Sequence, residues 1–335
     1  MPMKYRVWSA ALLAALLFVP AGAQAVIVGS LSARFDDTYR GGGVVVAGAS
    51  LSGRSDGVAN SNAAITVTGI PAGAIVQRAF LYWAVSGGLD TTASINGVAV
   101  TGANILIAGA TCWGTGIVSA TYRADVSARV GGNGNYVIGG LPSSTNPTSA
   151  DTDGAALVVL YSRPDAGAVR RIMIRDGAIT TSGMGELVSD AFAGLMSPIS
   201  SVGRFHLVVG DGQSEADGNL VFNAAVLGAN QFNGGEGALW DVATYDVLIP
   251  AALGTATWSH VTGNDCLLFE TAIVDFDVAQ CGDGLITSIE ACDDGDAQGS
   301  DGCSAICEVE PGWMCSGTPS VCMLLPDNLF ENGFE

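Results

Sequence analysis

The chain has 335 residues and carries 13 Lys and Arg against 32 Asp and Glu, a formal net charge of -19. Nucleic acids and anionic membranes are bound through cationic surfaces, so this charge balance excludes both as partners. A hydrophobic content of 49% excludes a disordered acidic chain, which has too little apolar surface to offset the entropy lost on ordering. The 46 glycines favour a turn-rich β protein.

Residues 1–25 have the pattern of a secretory signal peptide. Lys4 and Arg6 begin it, an apolar run covers 7–19, and Ala23 to Ala25 supply a small-x-small cleavage site. The apolar run is shorter than the roughly 20 residues of a membrane helix, and no longer apolar run follows. We therefore expect a secreted or cell-surface protein without a membrane span, whose cysteines are oxidised.

The stretch 26–279 has the pattern of an all-β domain, because Gly, Asn and Asp separate short apolar or alternating runs. Asn96 and Gly97 predict a two-residue hairpin. Asp125 predicts the cap of a short helical turn over 125–130. The candidate strands are 43–51, 63–68, 75–85, 155–161, 169–175, 205–209, 219–226 and 266–278.

We predict that 26–279 forms an antiparallel β-sandwich of jelly-roll-like type, and we favour one large sandwich over two small ones. Cys112 and Cys266 are the two cysteines of this stretch. A disulfide between them would tie early strands to the last one. Two free buried thiols are the alternative.

Part of this stretch resembles a known domain. The resemblance is carried by RAFLYWA at 78–84, ASING at 93–97, YRADV at 122–126, GNGNY at 132–136, ALVVLY at 156–161 and IRDG at 174–177. These segments are similar to an uncharacterised β-sandwich domain that recurs in secreted and surface-attached bacterial proteins, often beside adhesin-like repeats. The resemblance covers most of 75–180. It implies a fold and a location, and it carries over no catalytic residue.

A second composition begins at Cys281, after which the chain has 11 acidic residues and no Lys or Arg. We predict a disulfide-rich module over 280–322, because so short a segment buries too little apolar surface to fold alone. A zinc site is disfavoured, since neither a CxxC pair nor a histidine lies in this segment. The spacing C-x10-C-x10-C-x3-C-x7-C-x6-C leaves the pairing open among Cys281, Cys292, Cys303, Cys307, Cys315 and Cys322.

The residues between these cysteines, including CGDG at 281–284 and ACDDGD at 291–296, strongly resemble the disulfide-rich repeat of myxobacterial-type secreted proteins. That repeat is related in pattern to the calcium-binding Notch-type repeats of pappalysin proteases, so the resemblance implies a calcium site. Carboxylates crowded into a disulfide-bonded loop also repel one another unless a cation joins them. A solvated acidic loop is the alternative. The predicted calcium ligands are Asp293, Asp294, Asp296 and Asp301.

The tail over 323–335 is short, acidic and aromatic, and its Phe-Glu-Asn-Gly-Phe-Glu ending resembles that of other exported bacterial proteins. The resemblance implies an export or sorting signal. A frayed terminus is the alternative.

Few residues are available for catalysis. His206 and His260 are the two histidines, and both lie in strand-like runs, where packed or surface histidines are commoner than catalytic bases. Asp275 and Asp277 lie two apart in a strand whose other face is apolar, which predicts a solvated acidic face.

Three weaker candidates lie in loops. Glu215 and Asp217 belong to a polar loop and are the acids that a polysaccharide hydrolase would use. Trp113, between Cys112 and a glycine, is a loop aromatic on which a sugar ring could stack. Trp83 lies in an apolar run and is expected in the core.

The sequence therefore predicts a secreted or cell-surface, adhesin-like binding protein without catalytic activity. Glycans or surface proteins are its expected partners, and Ca2+ is its expected cofactor. A secreted polysaccharide-acting hydrolase and a passive structural component of the envelope are the alternatives.

Overall fold

The structure is a computed structural model that describes residues 28–108, 117–146, 148–197, 199–287 and 290–325. In chain order the elements are β1 (Val28–Arg40), β2 (Gly43–Ser50), α1 (Gly53–Asp56), β3 (Asn62–Val67), β4 (Ile75–Ser86), β5 (Thr92–Ile95), β6 (Val98–Thr101), β7 (Ala103–Ala108), β8 (Ser119–Asp125), a 3-10 turn (Ser127–Arg129), β9 (Gly134–Gly139) and β10 (Asp151–Ser162). They continue with β11 (Ala168–Thr180), β12 (Leu187–Ala193), β13 (Ser201–Gly210), β14 (Asn219–Phe222), β15 (Ala225–Ala229), β16 (Trp240–Ile249), β17 (Thr255–Val261), β18 (Leu268–Gln280), β19 (Trp313–Ser316) and β20 (Val321–Leu324). Neither helical element in the described ranges is long enough to cross a membrane.

The strands before residue 281 form four antiparallel sheets that pair into two sandwiches. In the first sandwich, inner sheet 1 has the order β2-β10-β4-β8-β7 and outer sheet 1 has the order β3-β9-β5-β6. In the second, inner sheet 2 has the order β1-β11-β18-β13-β16 and outer sheet 2 has the order β12-β17-β14-β15. One apolar core fills each sandwich.

The two inner sheets pack against each other and create a third apolar layer. Phe80, Val158 and Leu160 of inner sheet 1 meet Ile172 and Ile273 of inner sheet 2. The order of the layers is therefore outer, inner, inner, outer. Because β10 has a sheet on each side, it is buried along its whole length, and it reads as a continuous apolar run rather than as an alternation.

The two sandwiches repeat one topology. If β2–β6 with β8–β10 are numbered one to eight, and β11–β18 likewise, each inner sheet contains strands 1-8-3-6 and each outer sheet contains strands 2-7-4-5. This double Greek key is the jelly roll. Strands β7 and β1 extend the edges of inner sheets 1 and 2.

A β-bulge repeats at the same place in both jelly rolls. In β10, Thr152 pairs with Val85 and Gly154 with Ala84, which leaves Asp153 as the extra residue. In β18, Phe269 and Thr271 pair with Val209 and Val208 of β13, which leaves Glu270 as the extra residue. A bulge turns the extra side chain out of the regular alternation, so both acids occupy a special position in the eighth strand of their jelly roll.

These observations confirm the all-β antiparallel fold and correct its arrangement. One large sandwich was expected, whereas the chain builds two jelly rolls. The expectation rested on a disulfide, and a disulfide constrains two residues without fixing the number of sheets between them. Cys266 is disulfide-bonded, and its expected partner Cys112 lies outside the described residues.

The hairpin predicted from the Asn-Gly pair was confirmed. Asn96 and Gly97 join β5 to β6 with φ of 50° and 77°, the left-handed pair that a type I′ turn needs. The helical turn expected over 125–130 is a 3-10 turn over Ser127–Arg129, but its N-cap is Val126 and not Asp125. Asp125 accepts a hydrogen bond from the Ser127 amide at 3.0 Å just before the turn. The expected single strand over 219–226 is wrong: it is a hairpin that turns at Asn223 and Ala224, with φ of 45° and 68°.

The cysteine module contains three disulfides and the hairpin of β19 and β20, so the disulfide prediction for its six cysteines is confirmed. The bonds join Cys281 to Cys307, Cys292 to Cys303 and Cys315 to Cys322. The Cys281 amide donates to the Gly167 carbonyl at 3.1 Å. This contact places the module beside the loop that joins the two jelly rolls.

Replacement of Gly154 tests the contact between the inner sheets. A Cβ at Gly154 would lie 2.3 Å from Cδ2 of the buried Trp240 ring of inner sheet 2. We expect Gly154→Ala to lower the free energy of unfolding by about 1–3 kcal/mol through overpacking. Urea unfolding followed by far-UV circular dichroism measures the loss. Gly131→Ala is the control, because no atom lies within 4 Å of a Cβ there, and a loss of equal size in both variants would contradict the packing described.

Candidate functional site

Asp293, one of the four predicted calcium ligands, is buried and engaged within the module. Its carboxylate accepts hydrogen bonds at 2.9 Å from the amides of Gly282, Gly284 and Gly295, and its own amide donates to Ser320 Oγ at 3.0 Å. Three amide donors satisfy most of the acceptor positions of a carboxylate. Asp293 therefore holds the loop in shape.

The other three predicted ligands lie at the surface of the same loop. Asp296 and Asp301 are exposed and Asp294 is partly exposed. Partial burial raises the pKa of Asp294, and the negative charges of Asp301 and Asp296 raise it further. The fold thus brings Asp294, Asp296 and Asp301 within electrostatic reach of one another, as a shared cation would require.

One tighter set of ligand-type atoms lies beneath this loop. A carboxylate oxygen of Glu290, one of Asp293 and the sulfur of Cys307 lie within 4.8 Å of one another. Cys307 is bonded to Cys281, so its sulfur is not a thiolate and cannot act as a strong metal ligand. No other set of three such atoms in the described part of the chain comes this close.

The acids expected for a hydrolase do not form a pair at a surface cleft. Glu215 is exposed, whereas the Asp217 side chain is 0% exposed. Asp217 Oδ2 lies 3.8 Å from Nε2 of the buried His260, which is too long for a hydrogen bond. Trp113 lies outside the described residues.

Asp217 belongs to a group of buried acids at the loop end of the second jelly roll, which we call the loop acids: Asp217 and Asp265 in loops, and Asp241 at the start of β16. Burial raises the pKa of all three, that of Asp265 to about 6. Backbone amides face them: Gly235 donates to Asp241 at 2.7 Å and Gln213 donates to Asp265 at 3.0 Å. The amides order the loops, and this buried arrangement offers a polymeric substrate no access.

The two histidines lie in strands, as predicted. His260 is fully buried in β17 and packs edge-on against Phe232 at 4.9 Å, and burial lowers its pKa to about 4. His206 lies in β13, where Nδ1 is 2.9 Å from Thr244 Oγ1. A neutral histidine enclosed by aromatic rings has no substrate within reach, so packing accounts for His260.

The prediction that Asp275 lies on a solvated face is wrong. Asp275 is 0% exposed and pairs with Arg204 at 2.9 Å, with Arg170 at 3.8 Å beside it. Burial alone would raise its pKa, but His206, Arg170 and Arg204 outweigh burial and hold the pKa well below its usual value. The residue alternation was read correctly, and the error was to expect water where the other inner sheet lies.

A further group of buried acids escaped the sequence analysis. We call Asp153, Asp176 and Glu270 the interface acids, because they lie where the two inner sheets meet. Asp176 forms an ion pair with Arg123 and accepts a hydrogen bond from the Tyr82 hydroxyl at 3.0 Å. The available signal was an acid at the head of each apolar run, in DGAALVV at 153–159 and ETAIV at 270–274.

Exposed aromatic rings are scarce in the two sandwiches. Trp83, Trp240 and Trp258 are at most 1% exposed, so the core position expected for Trp83 is confirmed. Trp83 stacks on Tyr122 with 5.4 Å between ring centroids. None of these three tryptophans can stack on a sugar from solution.

Comparison with known proteins adds no identity to this geometry. No protein-family model matches the chain, and no curated protein matches it.

Replacement of Asp275 tests the ion-pair network. Asp275→Asn leaves Arg204 without its buried counter-charge, whereas Arg170 keeps Asp277 at 3.0 Å. Losing one partner of a buried pair costs about 3–5 kcal/mol. We expect a loss of that size at pH 7. Because the pKa of Asp275 is lowered on folding, the stabilisation is present above about pH 4 and disappears as the pH falls further. Urea unfolding at several pH values measures it.

Asp165→Asn is the matched control. Asp165 also pairs with an arginine, at 3.3 Å from Arg163, but its side chain is 73% exposed. Exposed pairs contribute little, so this variant should stay within about 0.5 kcal/mol of the parent. Equal effects of the two variants would contradict the role given to Asp275.

Proposed function

We propose that this is an exported interaction protein that binds a partner through the outer faces of its jelly rolls and performs no chemistry of its own. The observation that carries the proposal is the absence of charged residues from the exposed faces of both outer sheets. The proposed partner is a protein of the cell envelope that presents a surface of low charge.

Outer sheet 1 contains no Asp, Glu, Lys or Arg in any of its four strands. Ile65 and Val67 point into the core, so Ala64 and Thr66 point outward and are exposed. Val137, on the neighbouring strand β9, is 46% exposed. This face therefore carries small side chains that are polar or weakly apolar, and it has no charge.

Outer sheet 2 has the same character. Its one charged residue, Asp190, pairs with Arg175 of inner sheet 2 through two contacts, at 2.5 Å and 2.9 Å. Ser189 and Thr257 are exposed, and Leu187 is 59% exposed. In a chain of net charge -19, two neutral sheet faces are unusual surfaces.

The physical argument concerns desolvation. A charged face must lose its hydration when a partner covers it, whereas a neutral face of short side chains loses little hydration and little side-chain entropy. Depletion of charge is also the compositional mark of the centre of protein interfaces. The buried tryptophans favour a protein partner over a glycan, because stacking platforms for sugars are scarce among the described residues.

The export part of the proposal is supported by the three disulfides of the module, since such bonds persist in oxidising surroundings. The signal-like segment 1–25 agrees with it, and that segment lies outside the described residues. Secretion and retention at the cell surface both fit this proposal.

A binding assay with purified residues 26–335 tests the function. We expect retention on cell-envelope protein without released product. Thr66→Arg on the exposed face of outer sheet 1, or Thr257→Arg on that of outer sheet 2, introduces a charge into the contact. Either variant should reduce the apparent affinity at least about tenfold. The readout is surface plasmon resonance against solubilised envelope proteins and a glycan panel, with parallel detection of reducing sugars.

Ala72→Arg adds the same charge in an exposed turn outside both faces and should bind like the parent. Unchanged binding by both face variants would overturn the assignment of the faces. Product release that depends on Glu215 and Asp217 would establish the hydrolase instead, and assembly without any ligand would favour a structural component.

We also propose that the module binds Ca2+ through Asp294, Asp296 and Asp301, with Asp293 shaping the loop. Calorimetric titration should give a dissociation constant of roughly millimolar to sub-millimolar, as in extracellular sites. Asp294→Asn with Asp301→Asn should abolish the heat of binding, whereas Asp165→Asn should leave it intact. Equal heats from all three proteins would rule out a site in this loop.

A further inference from the structure

Glu270 is the most isolated ionisable group among the interface acids. It is 0% exposed, and neither carboxylate oxygen makes a hydrogen bond of normal geometry with a described residue. The Tyr122 backbone amide opposes the rise in pKa that burial causes, but only in part. Asp153 is also 0% exposed, and its Oδ1 is likewise without a partner, while Oδ2 accepts from Ser86 Oγ at 3.1 Å. An ionised carboxylate in such a place carries a heavy desolvation cost.

The backbone directs these two acids to the same layer. Each is the extra residue of a bulge at the equivalent position of its jelly roll, Asp153 in β10 and Glu270 in β18. The two strands belong to the inner sheets that face each other. The two jelly rolls therefore meet with one incompletely hydrogen-bonded carboxyl group from each.

The surrounding charges do not neutralise the group. Glu270 faces Asp176 on β11, Asp153 on β10 and Tyr82 on β4, with Arg123 of β8 bound to Asp176. Asp153 faces Arg54 of α1 and Asp151 of its own strand. Asp151 accepts hydrogen bonds from Ser52, Gly53, Arg54 and Ser144. Four carboxylates thus face two arginines, so full ionisation leaves two uncompensated negative charges in the interface.

We propose that Glu270 and Asp153 form a buried proton-binding site between the two jelly rolls, whose occupancy sets how firmly the inner sheets hold together. Two protons bring the interface to neutrality. Burial, with Asp176 and Asp153 nearby, keeps the pKa of Glu270 well above its usual value. Burial, opposed by Arg54, raises the pKa of Asp153 to about 7.

The site makes stability depend on pH in a definite direction. Both pKa values are raised on folding, so the folded protein keeps protons that the unfolded chain releases. The contribution of these two groups to the free energy of unfolding is then largest below the unfolded pKa, near 4. It falls as the pH rises towards each folded pKa. For Asp153 the fall ends near pH 7, and for Glu270 it extends well above the usual carboxyl range. The contact between the inner sheets is thus most stable at mildly acidic pH.

The decisive measurement is the pH dependence of the unfolding equilibrium of residues 26–335 with disulfides intact. While folded Glu270 keeps its proton and the unfolded chain has released it, the unfolding constant gains a factor of about ten for each pH unit from this group alone. Glu270→Gln mimics the protonated side chain. Over the pH range in which folded Glu270 keeps its proton and the unfolded chain does not, the unfolding constant of this variant should therefore lack that factor of about ten per pH unit.

Asp153→Asn should remove a comparable steepness between about pH 5 and 6.5, below the folded pKa of Asp153. Asp265→Asn is the matched control: Asp265 is another buried acid, with a pKa of about 6, so its replacement should leave the slope between pH 7 and 8 unchanged. A slope for Glu270→Gln equal to that of the parent at every pH above the unfolded pKa would overturn the proposal.

A measurement on the parent protein covers the case in which the Glu270 variant does not fold. Infrared spectroscopy in D2O distinguishes a protonated carboxyl from a carboxylate by its C=O stretching band. The proposal requires a protonated-carboxyl band in the folded protein at a pH above the unfolded pKa of Glu270, and that band should vanish on unfolding at the same pH. Absence of that band from the folded protein would show Glu270 to be ionised and would equally overturn the proposal.

Discussion

The contact between the two inner sheets governs the placement of charge in this protein. A sheet with solvent on one face can place its ionised groups there, but inner sheets 1 and 2 have apolar layers on both faces. Each buried acid in them must therefore find a counter-charge, collect amide donors or keep its proton. The outer sheets, which cover only one core each, have almost no charged residues in their strands.

The two jelly rolls share a strand order and a bulge position although the residues at equivalent positions differ. Tyr82 pairs with Arg123 in the first, and the equivalent positions of the second hold His206 and Thr244. The polar partners differ, so the local chemistry differs, yet the bulge next to them is retained. Strand order and register are backbone properties fixed by hydrogen bonding and by which face is buried, so they tolerate such exchanges.

Sequence reasoning succeeded where the signal is local. The Asn96-Gly97 turn, the core position of Trp83 and the disulfide module follow from rules that act over a few residues. It failed where the answer depends on a distant element. Nothing near Asp275 in the chain indicates that another sheet covers it, and the turn at Asn223 and Ala224 lacks the glycine that marks such hairpins.

The repeat of the jelly-roll topology could not be predicted from the sequence for the same reason. Asp153 and Glu270 occupy one position of a shared topology, but DGAALVV and ETAIVDF share too few residues to align by eye. What they have in common is an acid at the head of the strand that is buried on both faces. An acid in that context conflicts with burial, and such conflicts tend to mark functional or strained positions.

In three buried acids of this protein the desolvation cost of the carboxyl group is offset in three different ways. Asp275 stays ionised because Arg204 and Arg170 supply positive charge at the interface. Asp293 is held by three backbone amides in a loop that disulfides keep closed. Glu270 has no arginine beside it and only an imperfect contact with the Tyr122 amide, and a proton is the smallest ligand that removes its charge. Of the three, only the last can change state without breaking a contact, so the interface between the jelly rolls is where this fold can respond to its surroundings.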